Sequence, residues 1–290
     1  MTAVATTDRP AATGRTRGGT GVVYLWELEK LCAQWRIRAV TAICLLAPFV
    51  FTLALNTQDT VPSDTLFGRW VHDTGFAVPL VVLGFAGQWA FPVLTCLVAG
   101  DIFAAEDHHG TWKTILTRSL GRGRLFAGKV LAAATFTVVV VALAGVSSLA
   151  AGVLLVGREP LVVLDGTRLG PGHAAALVVL AWLTALPPAL GFTALGVLCS
   201  VATRHTAAGI GVPVLAGLVM QLLAYVGGGP VLAGVRHALL TTPFDAWHGL
   251  ARAAPYHGPL IEGALVSAGY LVVCLAVAGA LFRRRDFTKG

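Results

Sequence analysis

EDHHGTWKTILTRSLGRGRLFAGK, Glu106 to Lys129, is the charged stretch that interrupts an otherwise lipid-like chain. Within it Trp112, Ile115 and Leu116 recur at i, i+3 and i+4. A helix from about Thr111 to Ser119 would therefore carry one narrow apolar face, with Lys113, Thr114, Thr117 and Arg118 opposite. Such a helix is too short to span a bilayer. Gly121 and Gly123 break it, Arg122 and Arg124 add charge, and a long apolar run starts at Leu125, with Lys129 the last charge before Arg158. The pattern predicts a short helix wedged between two membrane-crossing ones. A basic loop that merely obeys the positive-inside rule would look the same, so the residues alone leave both readings open.

The composition bounds the class. The 290 residues are 56% hydrophobic and 12% charged, and a mean hydropathy of +0.77 is far too apolar for an ordinary soluble domain. Six apolar segments are long enough to cross: Ala39–Leu55, Phe76–Ala99, Leu125–Val156, His173–Ala202, Ala208–Val226 and Ile261–Phe282. The expected fold is thus an all-α integral membrane protein. An even number of spans puts both termini on one side, and 16 of the 21 Lys and Arg residues lie there together with the Glu106–Lys129 loop, leaving five opposite. That bias places both termini and the loop in the cytoplasm. It also assigns the net charge of +7 to membrane orientation, so no nucleic-acid partner is expected.

Ahead of the first span, residues 1–21 have no apolar stretch of signal-peptide type and are expected to form a disordered cytoplasmic tail. Residues 22–38 are amphipathic, with Leu25, Leu28, Leu31, Cys32 and Trp35 along one face and Glu27, Glu29, Lys30, Gln34 and Arg36 along the other. An interfacial helix on the lipid bilayer follows from that pattern, its Trp26 and Trp35 suited to the headgroup boundary. Residues 283–290 form a basic tail.

Within the spans, Pro187-Pro188 should break or kink the fourth segment, and Pro79 and Pro92 should bend the second. Such bends serve either a moving cavity wall or simple packing. Gly145, Ser148 and Gly152 give the third span a small-residue face for close helix approach. On the outer side, Leu66, Phe67, Trp70 and Val71 form a short apolar patch. Thr242-Pro243-Phe244-Asp245 reads as a helix start, after which Phe244, Trp247, His248 and Ala251 would face the membrane or other helices. That loop, from Gly227 to Leu260, either gates an exit or lies on the surface.

Chemistry is bounded by what is missing. Apart from Lys129 and Glu262 near segment ends, the six segments contain no Asp, Glu, Lys or Arg, which argues against a carrier driven by protons or sodium. Gln88 and Gln221 could touch a substrate or bond between helices. Gly123–Lys129 matches GxxxxGK, but Val130 stands where a phosphate-binding loop has Ser or Thr, so the chain is not expected to hydrolyse ATP. Glu106-Asp107-His108-His109 are adjacent and cannot all converge on one metal ion. The five cysteines have no close pair, and no nucleophile elbow supports a Ser-His-Asp arrangement, so no catalytic residue is expected.

Glu106, Gly110-Thr111, Ile115-Leu116-Thr117, Arg122 and Gly128-Lys129, in this order and spacing, resemble the loop of type 2 ABC exporter permeases, the ABC-2 membrane subunits. The match is close over about twenty-five residues and elsewhere rests on the pattern of spans. Ser119 stands where the family commonly has proline, and Gly121 where it has serine. The resemblance implies a short cytoplasmic coupling helix seated on a separate ATPase subunit that binds ATP and Mg. Its contact residues would be Glu106, Gly110, Thr111, Trp112, Lys113, Ile115, Leu116, Arg118 and Arg122. It further implies a second permease copy or a sister permease, a twelve-helix channel, and a substrate path to which Gln88 and Gln221 could belong. The abundance of Ala, Gly and Val with four lysines fits a bacterial cell membrane. A membrane-embedded enzyme or scaffold without transport activity is the rival reading, and no carboxylate pair or His cluster within the spans favours it.

Overall fold

In a hydrocarbon solvent every backbone N–H and C=O must bond within the chain, which restricts a sequence this apolar to helices or closed barrels. The computed structural model describes residues 19–58, 65–112, 121–226, 229–252 and 255–285, and they are almost wholly helical. Among them six helical stretches have the length and hydropathy to cross a membrane: Trp35–Asn56, Ala77–Ala99, Arg122–Leu155, Pro171–Thr203, Thr206–Ala224 and Gly258–Arg284. Each overlaps one of the apolar segments read from the sequence. The elements are α1 (Thr20–Ala33), α2 (Trp35–Asn56), α3 (Ala77–Phe85), α4 (Phe91–Ala99), α5 (Ala104–His108), α6 (Arg122–Leu155), α7 (Pro171–Thr184), α8 (Leu186–Thr203), α9 (Thr206–Tyr225), α10 (Pro230–His237) and α11 (Gly258–Arg284).

The prolines act where their missing donors require. The fourth span divides at Ala185, and α8 restarts with Pro187 and Pro188 in its first turn, where an amide donor is not needed. Pro92 likewise opens α4, after a π-helical turn at Ala86–Ala90 that absorbs the lost bond. Pro79 sits in the first turns of α3, which runs regularly to Phe85.

Helix α8 lies at the centre, packed against α4, α6, α9 and α11, while α1 and α2 lie along α6. Small residues set these approaches. A methyl on Gly145 would run into the Trp182 indole, and one on Gly152 into the Gly75 backbone. The small-residue face of the third span is therefore shared by two neighbours. Ile43, Leu46, Val50 and Leu53 of α2 and Ile261, Leu265 and Val272 of α11 point outward, the arrangement expected where the solvent is lipid.

At the end of the bundle away from Glu106, three connections close over the helices. Phe67 and Val71 are buried, Thr74 Oγ1 donates to the Glu159 carbonyl at 2.6 Å, and a two-residue antiparallel pair, β1 (Leu161–Val162) and β2 (Arg168–Leu169), turns through Gly166. The 3-10 helix Thr242–Gly249 dips between α7, α8 and α11. Thr242 does not cap it as expected; that hydroxyl donates to the Arg236 carbonyl at 2.8 Å, and Thr241 takes the cap position without a side-chain bond. Phe244, Trp247 and Ala251 are buried among the helices.

The segment expected as one amphipathic helix over residues 22–38 is two helices, broken at the extended backbone of Gln34. Its orientation also differs. Val23, Glu27 and Leu31 face the bundle, whereas Leu25, Trp26 and Trp35 are exposed, Trp35 at 80%. The carboxylate of Glu27 turns inward onto the buried Lys129 ammonium, so the inward face combines an ion pair with the apolar Val23 and Leu31. Residues 1–18 of the expected tail and 286–290 of the basic tail lie outside the described residues.

Candidate functional site

The loop that follows α4 is held by charges drawn from several helices. Lys129, on the second turn of α6, is fully buried, and its ammonium donates to Glu27 of α1 at 2.8 Å, to Glu106 of α5 at 3.1 Å and to the Ile102 carbonyl at 3.1 Å. Three acceptors exhaust its three donors. Lys30 of α1 also pairs with Glu106, and the Thr111 hydroxyl donates to the other Glu106 oxygen. The Lys129 ammonium lies 5.9 Å from the Phe103 ring centroid and 6.0 Å from that of Trp112.

Burial by itself would raise the Glu106 carboxyl. The Lys129 charge, the hydrogen bonds from Lys30 and Thr111 and the Lys30 charge overcome that effect and hold the group at about 2, against an ordinary 4.5. Glu106 therefore stays ionised well below neutral pH.

Around this centre the loop is stapled to the chain's own helix ends. Trp112 is 5% exposed, stacked on Phe103 at 6.4 Å and against Phe282 of α11 at 5.4 Å, and its indole N–H donates to Asp107 at 3.0 Å. Arg285 pairs with the same carboxylate oxygen and lies 5.8 Å from the Trp112 ring. Arg122 donates to the carbonyls of Arg283 and Arg285, both at 2.9 Å, so a cation meets the negative end of α11. The Ser200 hydroxyl of α8 accepts the N–H groups of Phe103 at 3.1 Å and Ala104 at 3.0 Å, and Arg36 of α2 pairs with Asp101. Gly110, at φ 63°, makes the turn that leads Trp112 back.

This arrangement revises the picture drawn from the sequence. Glu106 and Trp112, which the resemblance places among the ATPase contacts, are both buried within the chain, Glu106 at 4% exposure. A side chain with a complete set of internal partners is spent on tertiary structure. Gly110 and Arg122 are exposed and Thr111 is half-buried, whereas Lys113, Ile115, Leu116 and Arg118 lie outside the described residues. Glu27, Asp101, Asp107, Lys129 and Arg285 are the residues the sequence reading left out of the site. The one available signal was Lys129 itself, a lysine past the start of a long apolar run.

The second group of candidates separates. Gln221 is buried on α9. Gln88 sits in the π-helical turn, and its amide donates to both Asp245 carboxylate oxygens at 3.4 Å. Gln88 is the twelfth residue of the span that starts at Ala77, about 16 Å along the helix at ~1.5 Å per residue. The Thr242–Gly249 turn thus carries Asp245 and His248 to the level of a mid-span residue, although the span sequences themselves hold no such acid. Phe244 of the same turn packs on Phe91 and Phe192, each at 6.2 Å, in the space that Gly87 leaves. Burial pushes the Asp245 carboxyl up, opposed by the His248 charge and the Gln88 bond, and burial pushes the His248 imidazole down. Among the described residues, no group of three His, Cys, Asp or Glu side chains is placed to hold a metal ion.

A protein-family model described as ABC-2 family transporter protein matches residues 24–287. No curated protein matches the chain.

Two outcomes follow for the buried lysine. Lys129→Met leaves two buried carboxylates facing each other and is expected to cost about 3–5 kcal/mol, read as a lower melting temperature in detergent. Adding Glu27→Gln and Glu106→Gln should restore most of the loss. A carboxyl depressed in the folded state contributes stability that is complete above its unfolded-state value and fades as pH falls through the folded-state one. The melting temperature should accordingly drop between about pH 4.5 and 2 in the wild type, with a smaller drop in Glu106→Gln.

Proposed function

Because the chain belongs to the ABC-2 transporter family, we propose that its membrane domain is the permease half of an exporter driven by a separate ATPase subunit. Two permeases, either two copies of this chain or this chain with a sister, would line one twelve-helix channel. ATP and Mg would bind to the ATPase partner. The sixteen-to-five bias of basic residues supports both termini and the Glu106 loop lying inside, and the abundance of Ala, Gly and Val with four lysines supports a bacterial cell membrane.

The observation that carries the reading is the charge network at Lys129. One loop between two spans is tied by ion pairs and hydrogen bonds to α1, α2, α6, α8 and α11. A push on that loop therefore reaches five helices through contacts with no slack, which is what transmission from an ATPase requires. Since Trp112 belongs to the chain's own core, the contact with the ATPase falls to Lys113, Ile115, Leu116 and Arg118, with Gly110, Thr111 and Arg122 at its edge. Glu106 and Trp112 then act by fixing the angle at which that segment leaves the bundle.

Co-purification of the two subunits tests this division. Ile115→Ala combined with Leu116→Ala, with Trp112 retained, should weaken ATPase recovery by about 2 kcal/mol, or roughly thirtyfold. Normal recovery would reject the coupling assignment. Orientation is checked with single cysteines on a cysteine-free background. His109→Cys should resist a membrane-impermeant reagent added to intact cells, and Tyr256→Cys, 63% exposed at the other end, should react.

A further inference from the structure

We propose that the cavity between the π-helical turn of the second span and the Thr242–Gly249 turn is a binding site for an aromatic organic cation that also carries a hydrogen-bond acceptor. The inference rests on the permease reading above and names a substrate class for it. The cavity measures about 560 Å³, within the range that holds a drug-sized molecule. Gln88, Trp89, Phe85, Asp245, Trp247 and His248 line it.

Its chemistry is one-sided. Among the described residues the Asp245 carboxylate is hydrogen-bonded by the Gln88 amide alone, with both bonds long at 3.4 Å, and no Lys or Arg pairs with it. His248, one turn on, is the charge partner at hand, and its own burial disfavours the protonated form. A carboxylate placed among apolar walls without a fixed cation favours one that arrives with a ligand. Phe85 and Trp89 are half-exposed beside it and offer ring faces of the kind on which a delocalised cation stacks.

A second observation points the same way and refines the ligand. The Trp247 indole N–H is buried, the residue being 2% exposed, and among the described residues it has no hydrogen-bond partner. A buried donor without an acceptor costs free energy that a ligand oxygen would recover. Carboxylate, ring faces and unpaired donor together select a planar cation bearing a carbonyl, ester or hydroxyl. A neutral lipid tail would leave both polar groups unmet.

The test is direct binding of rhodamine 123, a cationic aromatic ester, to the purified protein in lipid nanodiscs, read by fluorescence anisotropy against empty nanodiscs. Saturable binding is expected, weakened tenfold or more in Asp245→Asn, kept within about threefold in Asp245→Glu, and weakened severalfold in Phe85→Ala. Phe85 is half-exposed, so its loss leaves the fold intact. Benzyltrimethylammonium should displace the dye, and benzyl alcohol at the same concentration should not. Absence of saturable binding, equal displacement by the alcohol, or unchanged affinity in Asp245→Asn and Phe85→Ala would overturn the site. The same preparations are mixed with the ATPase, so that recruitment without dye binding overturns the cation site alone. Dye binding without recruitment upholds the site and counts against the coupling reading.

Discussion

A fully buried ammonium fixes the charged end of this protein. Lys129 cannot sit inside a helix bundle without carboxylates, and the two it takes come from segments that are otherwise free to be elsewhere, Glu27 on an amphipathic helix and Glu106 in a loop. Once they are recruited, the remaining contacts follow. Lys30 reaches Glu106 from the same helix as Glu27, Thr111 bonds the second Glu106 oxygen, and Trp112 is drawn onto the Phe103 ring beside the ammonium. Such a network contributes geometry more than net stability, since its Coulombic gain largely offsets desolvation. Its value is that no member can move alone.

That property would suit the transmission proposed for this loop. Close-packed apolar side chains already resist sliding, and directional hydrogen bonds between ions add a further fixed geometry. Lys129 is held in this way by Glu27, Glu106 and the Ile102 carbonyl. The same network explains why α1 presents Glu27 to the bundle together with Val23 and Leu31, leaving Leu25 and Trp26 exposed.

The opposite end is built differently. There three connections pack through aromatic side chains, with Phe67 against Trp247 at 5.9 Å and Phe244 between Phe91 and Phe192. Polar groups are few and incompletely matched, as Asp245 and the Trp247 indole illustrate. The chain thus has one end where Lys129, Glu27 and Glu106 are paired from within and one where a carboxylate with no Lys or Arg partner among the described residues lines a cavity. Rigid coupling and ligand exchange would place those opposite demands.

The all-α membrane class, the six spans and the breaks at Pro92 and Pro187-Pro188 were legible in the sequence, because each depends on local properties: hydropathy over about twenty residues and the missing amide of proline. The ABC-2 resemblance was legible as well, through short-range spacing in the Glu106 to Lys129 loop. What the sequence could not decide was which charges are solvated. Glu27 and Glu106 each sit in a stretch whose pattern reads as exposed, and only the convergence of residues 27, 106 and 129 makes them buried. The apolar helical face of Trp112 does not say what covers it, and within the chain Phe103 and Phe282 do. Asp245 belonged by sequence to an outer loop, and only the inward dip of the Thr242–Gly249 turn sets it beside Gln88. In each case the deciding term is long-range electrostatics or burial between residues far apart in the chain, which composition and periodicity do not encode.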